Sequence, residues 1–470
     1  MPKEFKCPVH GYISIPEEYC SRFIDTPVFQ RLRQIEQTGM RVLYPSAHHD
    51  RFIHSLGVFH LGQLAFHYLR KNSQEMLEEL EIEDEVIESY KKSFLIACLL
   101  HDCGHSPFSH TFEDEYDINN KLNPMIKDLI GNGKFIQDYE GTPPCSPAPH
   151  EKVSVIVILK YYKQKIEECG ADPILVARAV IGCKHILPTD SKERLENAII
   201  SLLNNKAIDV DKLDYIIRDT WASGVKNVSI DVERLLSSLV YAKDENGRFR
   251  LSFKKRALSV LQNVVEGRDY LYRWIYSHHK VVYHEALLKK SLKAAAELIS
   301  PGNQDVFLEK LFSVDSILEP QQVNGLNMYL PTDGDIFYFL KKQMPHEIIE
   351  NLLSRNHHKT LWKSHLEYER IFKSVPSGER ETIRSQAVQV VGEYCESSQI
   401  IIEDVKPKII LDRNSIYISF ENNECVLYSD VFDKNGGSGG LEMSKFYYIY
   451  GPARLLEHKD KIITKLKDAV

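Results

Sequence analysis

Apolar residues recur every three to four positions through most of the first 300 residues, which is the spacing of one face of an α-helix. The stretch HSLGVFHLGQLAFHYLRK shows this at Leu56, Leu61, Ala65 and Leu69, and SFLIACLLHD (93–102) and NAIISLLNNKAIDVDKLDYIIRD (197–219) continue it. Few segments here alternate with the period of two that is typical of a half-buried strand. The pattern predicts a mainly α fold built on buried helices.

Strand-like patterns are confined to two places. In SSLVYAKDENGRFRLSFKK, two alternating runs flank Asn246–Gly247, a pair that suits the positive φ of a tight hairpin turn. Near the end of the chain, IIIEDVKPKIILD, SIYISF and CVLYSDVF are typical of strands, and NGGSGG (435–440) is typical of a flexible loop. We therefore expect a small β-hairpin in the helical core and a smaller C-terminal α/β lobe.

Changes in composition divide the chain into three predicted domains. The connector SPGNQ (300–304) separates a main helical domain, 1–300, from a helical region, 301–398, and the strand-rich lobe follows at 399–470. Within the first domain, 127–149 contains GNGK and TPPCSPAP, so we expect an irregular loop there, next to His150.

The overall composition excludes several classes of protein. The chain has 470 residues, 43% hydrophobic and 27% charged, with no apolar run long enough to span a membrane and no signal-peptide pattern. Nine scattered cysteines include no C-x-x-C pair, which argues against a disulfide framework or a thiolate zinc site. We expect a cytoplasmic protein without a membrane partner. The net charge of −7 does not favour a nucleic-acid partner.

Histidine gives the first indication of chemistry, because eight of the nineteen histidines lie between residues 48 and 110. The dipeptide His101–Asp102 ends the apolar run SFLIACLL and is followed by Gly104, so a helix must stop there. Adjacent helical residues diverge by about 100°, but at a helix end both side chains can converge on one ion. His54 and Asp211 complete a set of two imidazoles and two carboxylates, which suits a divalent metal.

Each of these residues also has an ordinary explanation. His54 taken alone fits a surface or core histidine, and Asp211 and Asp219 fit solvated charges on a helix whose Tyr215 is half-buried. Only the combination of the four ligands favours a metal site.

Extended motifs resemble those of the HD-domain phosphohydrolases. The resemblance is strongest to the deoxynucleoside triphosphate (dNTP) triphosphohydrolases, in the branch of the vertebrate sterile-alpha-motif and HD-domain enzyme, here without a sterile-alpha-motif domain. The motifs that carry it are FIDTPVFQRLRQIEQTG (23–39), HHDRFIHSLGV (48–58), LLHDCGHSPFSHTFE (99–113), PHE (149–151), IDVDKLDYIIRD (208–219), and Arg268 followed by YSHHK (276–280). The resemblance implies an HD-domain catalytic core over 1–300 that splits a dNTP into a deoxynucleoside and inorganic triphosphate.

The resemblance also implies which residues bind metal and substrate. One divalent metal (Fe, Mn, Zn, Ni or Mg, which the ligands do not distinguish) would be held by His54, His101, Asp102 and Asp211, with Mg²⁺ accompanying the nucleotide. Contacts to the phosphates are implied for Arg51, Lys212 and Arg268, and contacts to the sugar and base for Gln37, Tyr215, Asp219 and Tyr276. Thr38 departs from the family, where a bulkier leucine helps to exclude a 2′-hydroxyl group. Selectivity for deoxyribose is therefore an open question.

Cleavage at the sugar 5′-oxygen requires proton transfer, for which His105, His110 and His150 are the candidates. We favour His110, because Glu113 lies three residues later and can orient its imidazole. His150–Glu151 is a similar pair that fits a phosphate contact. A structural hydrogen-bonding role for each histidine stays open.

Six further residues match sites that bind activating nucleotides in the vertebrate enzyme: Asp25, Gln30, Arg33, Arg234, Lys254 and Arg256. The resemblance therefore implies GTP or dNTP activators and a homo-oligomer, either a dimer or a tetramer. An internal ion pair of Asp25 with Arg33, or a solvated hairpin rim, explains the same residues. Around Lys3–Glu4 the family's activator-contacting lysine falls on Glu4, which departs from the pattern.

Two other functions remain as alternatives at this point. The four metal ligands also suit an HD-type phosphodiesterase or nuclease, or a general nucleotide phosphohydrolase. A non-catalytic nucleotide sensor on the same scaffold is the second alternative, although the full set of ligands and proton donors argues against loss of activity.

Overall fold

The computed structural model describes residues 1–117, 120–244, 247–323, 325–354, 357–405, 413–420, 425–432 and 445–468. Its helices of eight or more residues are α1 (Arg51–Asn72), α2 (Asp84–Leu100), α3 (Leu122–Ile130), α4 (Pro149–Val157), α5 (Pro173–Ile181), α6 (Ser191–Leu203), α7 (Val210–Ser223), α8 (Leu258–Tyr270), α9 (His279–Ile299), α10 (Gln304–Leu311), α11 (Asp333–Gln343), α12 (His346–Leu353), α13 (Arg380–Gly392) and α14 (Lys459–Asp468). Its strands are β1 (Lys3–Cys7), β2 (Gly11–Ile15), β3 (Leu239–Lys243), β4 (Phe249–Lys254), β5 (Gln321–Val323), β6 (Leu326–Met328), β7 (Lys359–Thr360), β8 (Ile401–Val405), β9 (Tyr417–Ser419), β10 (Cys425–Leu427) and β11 (Phe446–Gly451).

Helix α2 lies at the centre of the main hydrophobic core. It packs against α1 and α5, and α7 also packs against α1. Every residue from Ser93 to Leu100 is buried, because this end of α2 is surrounded by other helices. The prediction of a mainly α fold with small sheets is confirmed.

The predicted hairpin is present as antiparallel β3 and β4. Gly247 has a φ of +72°, as the turn requires, whereas Asn246 lies outside the described residues. Strand β4 has a second neighbour, because β9 pairs with it in parallel, with Ser252 opposite Tyr417.

This pairing changes the predicted C-terminal lobe. The segments SIYISF and CVLYSDVF supply β9 and β10, which extend the hairpin sheet in the order β10-β9-β4-β3. Strands β8 and β11 of the predicted lobe form a different sheet, in the order β7-β11-β8. The edge of β4 that does not face β3 has backbone groups that can pair with a strand distant in sequence. The local alternation of residues does not predict such a pairing. NGGSGG lies outside the described residues, and the domain boundaries at 300 and 398 stay predictions.

The prediction of an irregular loop at 127–149 is wrong for the first half of this segment. Residues Gly133–Tyr139 form a helix, whose N-terminus is capped by the Asn132 side chain through the amides of Lys134 and Phe135. Phe135 is fully buried, so glycine here separates two helices rather than preventing them.

A second hydrophobic core lies around Trp362. Its ring contacts Tyr368, Phe372 and Tyr447, and its Nε1 donates a hydrogen bond to the Tyr447 carbonyl oxygen at 2.6 Å. Residues Val282, Tyr283 and Ala286 of α9 belong to this second core. Helix α9 therefore reaches from the main helical body into the C-terminal part of the chain.

Among the described helices, none has both the length and the apolar character needed to cross a membrane.

We predict that Trp362→Ala destabilises the protein by about 3–5 kcal/mol, because it removes a fully buried aromatic ring and leaves a cavity. Trp221, which is 52% exposed, is the matched control, and Trp221→Ala should change stability by less than about 0.5 kcal/mol. Urea unfolding followed by circular dichroism measures both. Equal stability of the two variants would contradict the second core.

Candidate metal centre and nucleotide cleft

Three helix ends bring the predicted metal ligands together. Helix α1 begins after Asp50, whose side chain caps the Ile53 amide, and His54 lies in its first turn. Helix α2 ends at Leu100, so that His101 and Asp102 occupy the turn that follows. Asp211 lies in the first turn of α7.

The four side chains point at one another. His54 Nε2 lies 3.0 Å from Asp211 Oδ1 and 3.6 Å from Asp102 Oδ2. His101 Nε2 lies 3.5 Å from Asp102 Oδ1 and 3.7 Å from Asp211 Oδ1. Both Nε2 atoms are buried, and neither forms a well-aligned hydrogen bond with any described residue. Ligand atoms about 2.1 Å from one ion are separated by roughly 3 Å, so these residues fit a divalent metal.

The opposite ring nitrogens are already bonded, which fixes Nε2 as the ligand atom. His54 Nδ1 lies 2.8 Å from Asp214 Oδ2, and His101 Nδ1 lies 2.9 Å from the Cys98 carbonyl oxygen. Histidine ligands usually have such a partner, which orients the ring.

Asp214, absent from the predicted site, is the centre of a buried polar network. It accepts two hydrogen bonds from Arg218, at 2.7 and 2.9 Å, and lies 2.6 Å from His10 Nε2 in the loop between β1 and β2. Burial opposes its ionisation, but Arg218, His10 and His54 hold the pKa of Asp214 well below its usual range. A Cβ at Gly57 would lie 2.0 Å from Asp214 Oδ1, so α1 needs glycine there.

The site carries concentrated negative charge. Despite burial, the neighbouring cations and imidazoles keep the pKa of Asp102 and of Asp211 below its ordinary value. Burial favours neutral imidazole, yet Asp211 and Asp214 raise the pKa of His54 to about 9. These carboxylates favour a positive charge at the centre, which a divalent metal would supply.

A cleft of about 440 Å³ opens beside the ligands. Asp102 and Asp211 form part of its wall, and so do all eight residues predicted to bind substrate: Gln37, Thr38, Arg51, Lys212, Tyr215, Asp219, Arg268 and Tyr276. The fold therefore brings all eight of these residues into one cavity. Their roles stay predictions.

Side-chain partners anchor the three cations that are predicted to contact phosphate. Arg51 donates to Asp102 Oδ2 at 2.7 Å and to Ser109 Oγ at 2.9 Å. Lys212 Nζ lies 2.5 Å from Asp209, which also caps α7, and Arg268 Nε donates to the Tyr215 hydroxyl at 3.1 Å. Fixed cations of this kind suit a polyphosphate.

The far end of the cleft contains groups that suit a sugar. The Tyr276 hydroxyl donates to Asp219, which also lies 2.6 Å from His49 Nε2. Gln37 is 4% exposed, and its Oε1 has no partner within the described part of the chain. His49 was not predicted, although it lies in the quoted HHDRF motif. Glu403 to Val405 of β8 also line the cleft, and the periodicity of the sequence does not predict this.

Glu113 joins two of the three proton-transfer candidates. His110 Nδ1 lies 3.0 Å from Glu113 Oε2, as predicted, and His150 Nδ1 contacts Glu113 Oε1. The predicted pairing of His150 with Glu151 is wrong. Glu151 caps its own helix at the Ala148 amide and accepts from Asn204 Nδ2, because adjacent helical residues point in different directions.

His105 lies beneath this group. It is fully buried, neither ring nitrogen has a hydrogen-bond partner among the described residues, and burial keeps the pKa of His105 well below its usual value. Its ring stacks on His150, with centroids 4.1 Å apart and planes tilted by 17°. Nitrogen lone pairs lie in the ring plane, and two nearly parallel planes share no nearby point for an ion. His105 and His150 are thus poorly placed to hold one ion together, although the ligand atoms of His105, His110, Glu113 and His150 lie within 4.8 Å of one another.

The predicted regulatory residues form two groups. Arg33 Nε donates to Gln30 Oε1 at 2.8 Å, whereas Asp25 pairs with Lys3 at 3.0 Å. Asp25 therefore pairs with Lys3, and not with Arg33 as the alternative explanation expected. On the hairpin sheet, Arg256 donates to the Ser237 carbonyl oxygen, Lys254 to Asn72 and Arg234 to the Arg256 carbonyl oxygen. Nucleotide activation stays a prediction.

Comparison with known proteins supports the motif-based assignment. Residues 51–215 match the HD domain family. The chain is 26% identical over 400 residues to the deoxynucleoside triphosphate triphosphohydrolase SAMHD1 homolog of Dictyostelium discoideum, covering 85% of this chain and 66% of that protein. It is 27% identical to human SAMHD1 over 434 residues, covering 86% of this chain but only 59% of the human protein.

A hypothetical protein from Aquifex aeolicus has the same fold, with a TM-score of 0.65 at 23% identity over 98% of this chain and 100% of that one. The resemblance in the motifs is therefore confirmed: the chain contains an HD domain and is a relative of the HD-domain deoxynucleoside triphosphate triphosphohydrolases.

Proposed function

We propose that this protein hydrolyses deoxynucleoside triphosphates to a deoxynucleoside and inorganic triphosphate. The observation that carries the proposal is a single cleft lined by Asp102 and Asp211 of the proposed metal site, by three anchored cations and by tyrosine side chains. Relatives named as dNTP triphosphohydrolases support the same reaction. Such a cleft suits a compact nucleotide better than a polymer, which needs an open basic groove with stacking aromatic rings.

The reaction breaks the bond between the α-phosphorus and the sugar 5′-oxygen. The oxygen of water becomes part of the triphosphate, and a proton must reach the leaving 5′-oxygen. A divalent metal held by His54, His101, Asp102 and Asp211 would supply Lewis-acid stabilisation of the developing phosphate charge. Arg51, Lys212 and Arg268 would hold the phosphates in register, since their own partners fix their positions.

His110 is the proposed proton donor to the 5′-oxygen. Its side chain is the most exposed of His110, Glu113 and His150, and it lines the cleft. Burial would raise the pKa of Glu113, but His110 and His150 hold that pKa well below its usual range, so the carboxylate stays ionised. An ionised Glu113 raises the pKa of His150, although burial of His150 has the opposite effect.

We predict that Asp211→Asn reduces bound metal and lowers triphosphate release by about 10²-fold or more, because the ligand loses its charge. Elemental analysis and a product assay with each dNTP measure the two effects. Asp84, whose side chain is 84% exposed, supplies the control Asp84→Asn, which should match wild type. Undiminished turnover in metal-depleted Asp211→Asn would contradict the proposed role of the metal.

His110→Ala should lower kcat by about 10²- to 10⁴-fold, with unchanged metal content and thermal stability, because it removes a general acid. His67, an exposed histidine on α1, supplies the matched control His67→Ala, with wild-type activity expected. Near-normal turnover of His110→Ala would remove the assignment of this residue.

Thr38 provides a test of sugar selectivity. The Thr38→Leu variant should raise the ratio of kcat/KM for dATP over ATP by about tenfold, because a bulkier side chain crowds a 2′-hydroxyl group. Thr38→Val keeps a similar volume and should leave the ratio unchanged. Equal hydrolysis of ATP and dATP by the wild type and by Thr38→Leu would favour a general nucleotide phosphohydrolase.

A further inference from the structure

His110 follows two residues in an unusual backbone conformation. Phe108 and Ser109 have φ values of +58° and +50°, which places two consecutive non-glycine residues in the left-handed region. Side chains other than glycine, asparagine and aspartate adopt this region at an energetic cost. Such a conformation persists only where the surrounding structure holds it.

Asp333, at the start of α11, holds this turn from outside the segment that matches the HD domain. Its Oδ1 accepts from the Phe108 amide at 2.6 Å, and its Oδ2 accepts from the Glu36 amide at 2.9 Å. The side chain therefore joins the turn before His110 to Glu36, which forms an isolated antiparallel β-bridge with Asp50. Burial raises the pKa of Asp333 to about 7, although the two amides and Arg31 oppose this shift.

The joined segments lie directly against the proposed active site. Ser109 Oγ donates to the Glu36 carbonyl oxygen at 2.5 Å and accepts from Arg51 Nε at 2.9 Å. Arg51 in turn bonds the metal ligand Asp102. A shift of the turn would thus move both His110 and a cation of the cleft.

Arg31 makes a second connection between the same regions. One of its terminal nitrogens donates to the Pro331 carbonyl oxygen at 3.0 Å. The other donates to the carbonyl oxygens of Cys103, at 3.2 Å, and His105, at 2.6 Å. Arg31 is 4% exposed, so these contacts are made inside the protein. The Phe337 ring of α11 also packs on Phe108, with centroids 5.1 Å apart.

We propose that Asp333 is a positioning residue that acts through the Phe108–Ser109 turn to hold His110 and Arg51 in their working geometry. The proposal rests on the proposed function, because it assigns a purpose to the His110 geometry. It makes residues 331–333 a part of the catalytic apparatus, although none of them lines the cleft.

Asp333→Asn is the main test, because asparagine has the same shape as aspartate. Its NH2 group would face one of the two backbone N–H donors and could not accept that hydrogen bond. Two variants on the same helix serve as controls. Asp335→Asn alters a residue that bonds only within the helix N-terminus, through Thr332, in the contacts that the structure shows. Phe337→Ala removes the ring packed on Phe108 but leaves both hydrogen bonds to Asp333.

In Asp333→Asn, we expect kcat to fall about tenfold with KM within about twofold, because one buried hydrogen bond is lost. Amide hydrogen exchange of a peptide covering 106–112 should become faster. Asp335→Asn and Phe337→Ala should keep kcat, even where Phe337→Ala lowers the melting temperature. Adding Asp333→Asn to His110→Ala should lower kcat by a smaller factor than Asp333→Asn lowers it in the wild type, because the part of the effect that acts through His110 is already lost.

A wild-type kcat and unchanged exchange in Asp333→Asn would overturn the proposal. So would a loss of kcat in Phe337→Ala that matches the loss in Asp333→Asn, because general loosening would then explain both. If the wild type released no triphosphate from any dNTP, the proposed function would fail. The exchange comparison would still decide whether Asp333 holds the turn.

Discussion

The site depends on the compensation of buried negative charge. Asp102, Asp211 and Asp214 lie around two imidazoles, and Asp102 and Asp214 are almost completely buried. Arg51 and Arg218 each compensate one of them, at 2.7 Å. Buried charge without a partner is strongly destabilising, so the carboxylates need cations close to them. The Nε2 atoms of His54 and His101 face the place where a metal would add this positive charge.

Segments distant in sequence complete what the HD motif begins. Within the match at 51–215 lie the four proposed metal ligands, Lys212 and the three histidines that are candidates for proton transfer. The remaining parts of the site come from elsewhere: His10 supports Asp214, and Arg268 and Tyr276 form the outer cleft. Asp333 and Arg31 hold the turn before His110. The geometry of the proposed site therefore depends on the whole fold rather than on the motif alone.

The sequence was most informative where a candidate functional residue lies at a position that local sequence patterns also mark, such as the end of a helix. Helix ends could be predicted because apolar periodicity stops there, and His54, His101, Asp102 and Asp211 all lie at such ends. Asp214 could have been noticed, since it follows Asp211 by three residues and so lies near the same face of α7. The bond from Asp333 to Phe108 spans 225 positions, and no local pattern encodes its partner. The same limit explains β9, whose alternation predicted a strand but not its parallel pairing with β4.

The most direct test of the central claim is a crystal structure with a non-hydrolysable dNTP analogue and Mn²⁺, with anomalous scattering used to locate the metal. We predict one metal peak within about 2.0–2.3 Å of His54 Nε2, His101 Nε2 and oxygens of Asp102 and Asp211, with the nucleotide phosphates facing Arg51 and Lys212. A peak among His105, His110 and His150 instead, or a nucleotide bound outside this cleft, would contradict the account.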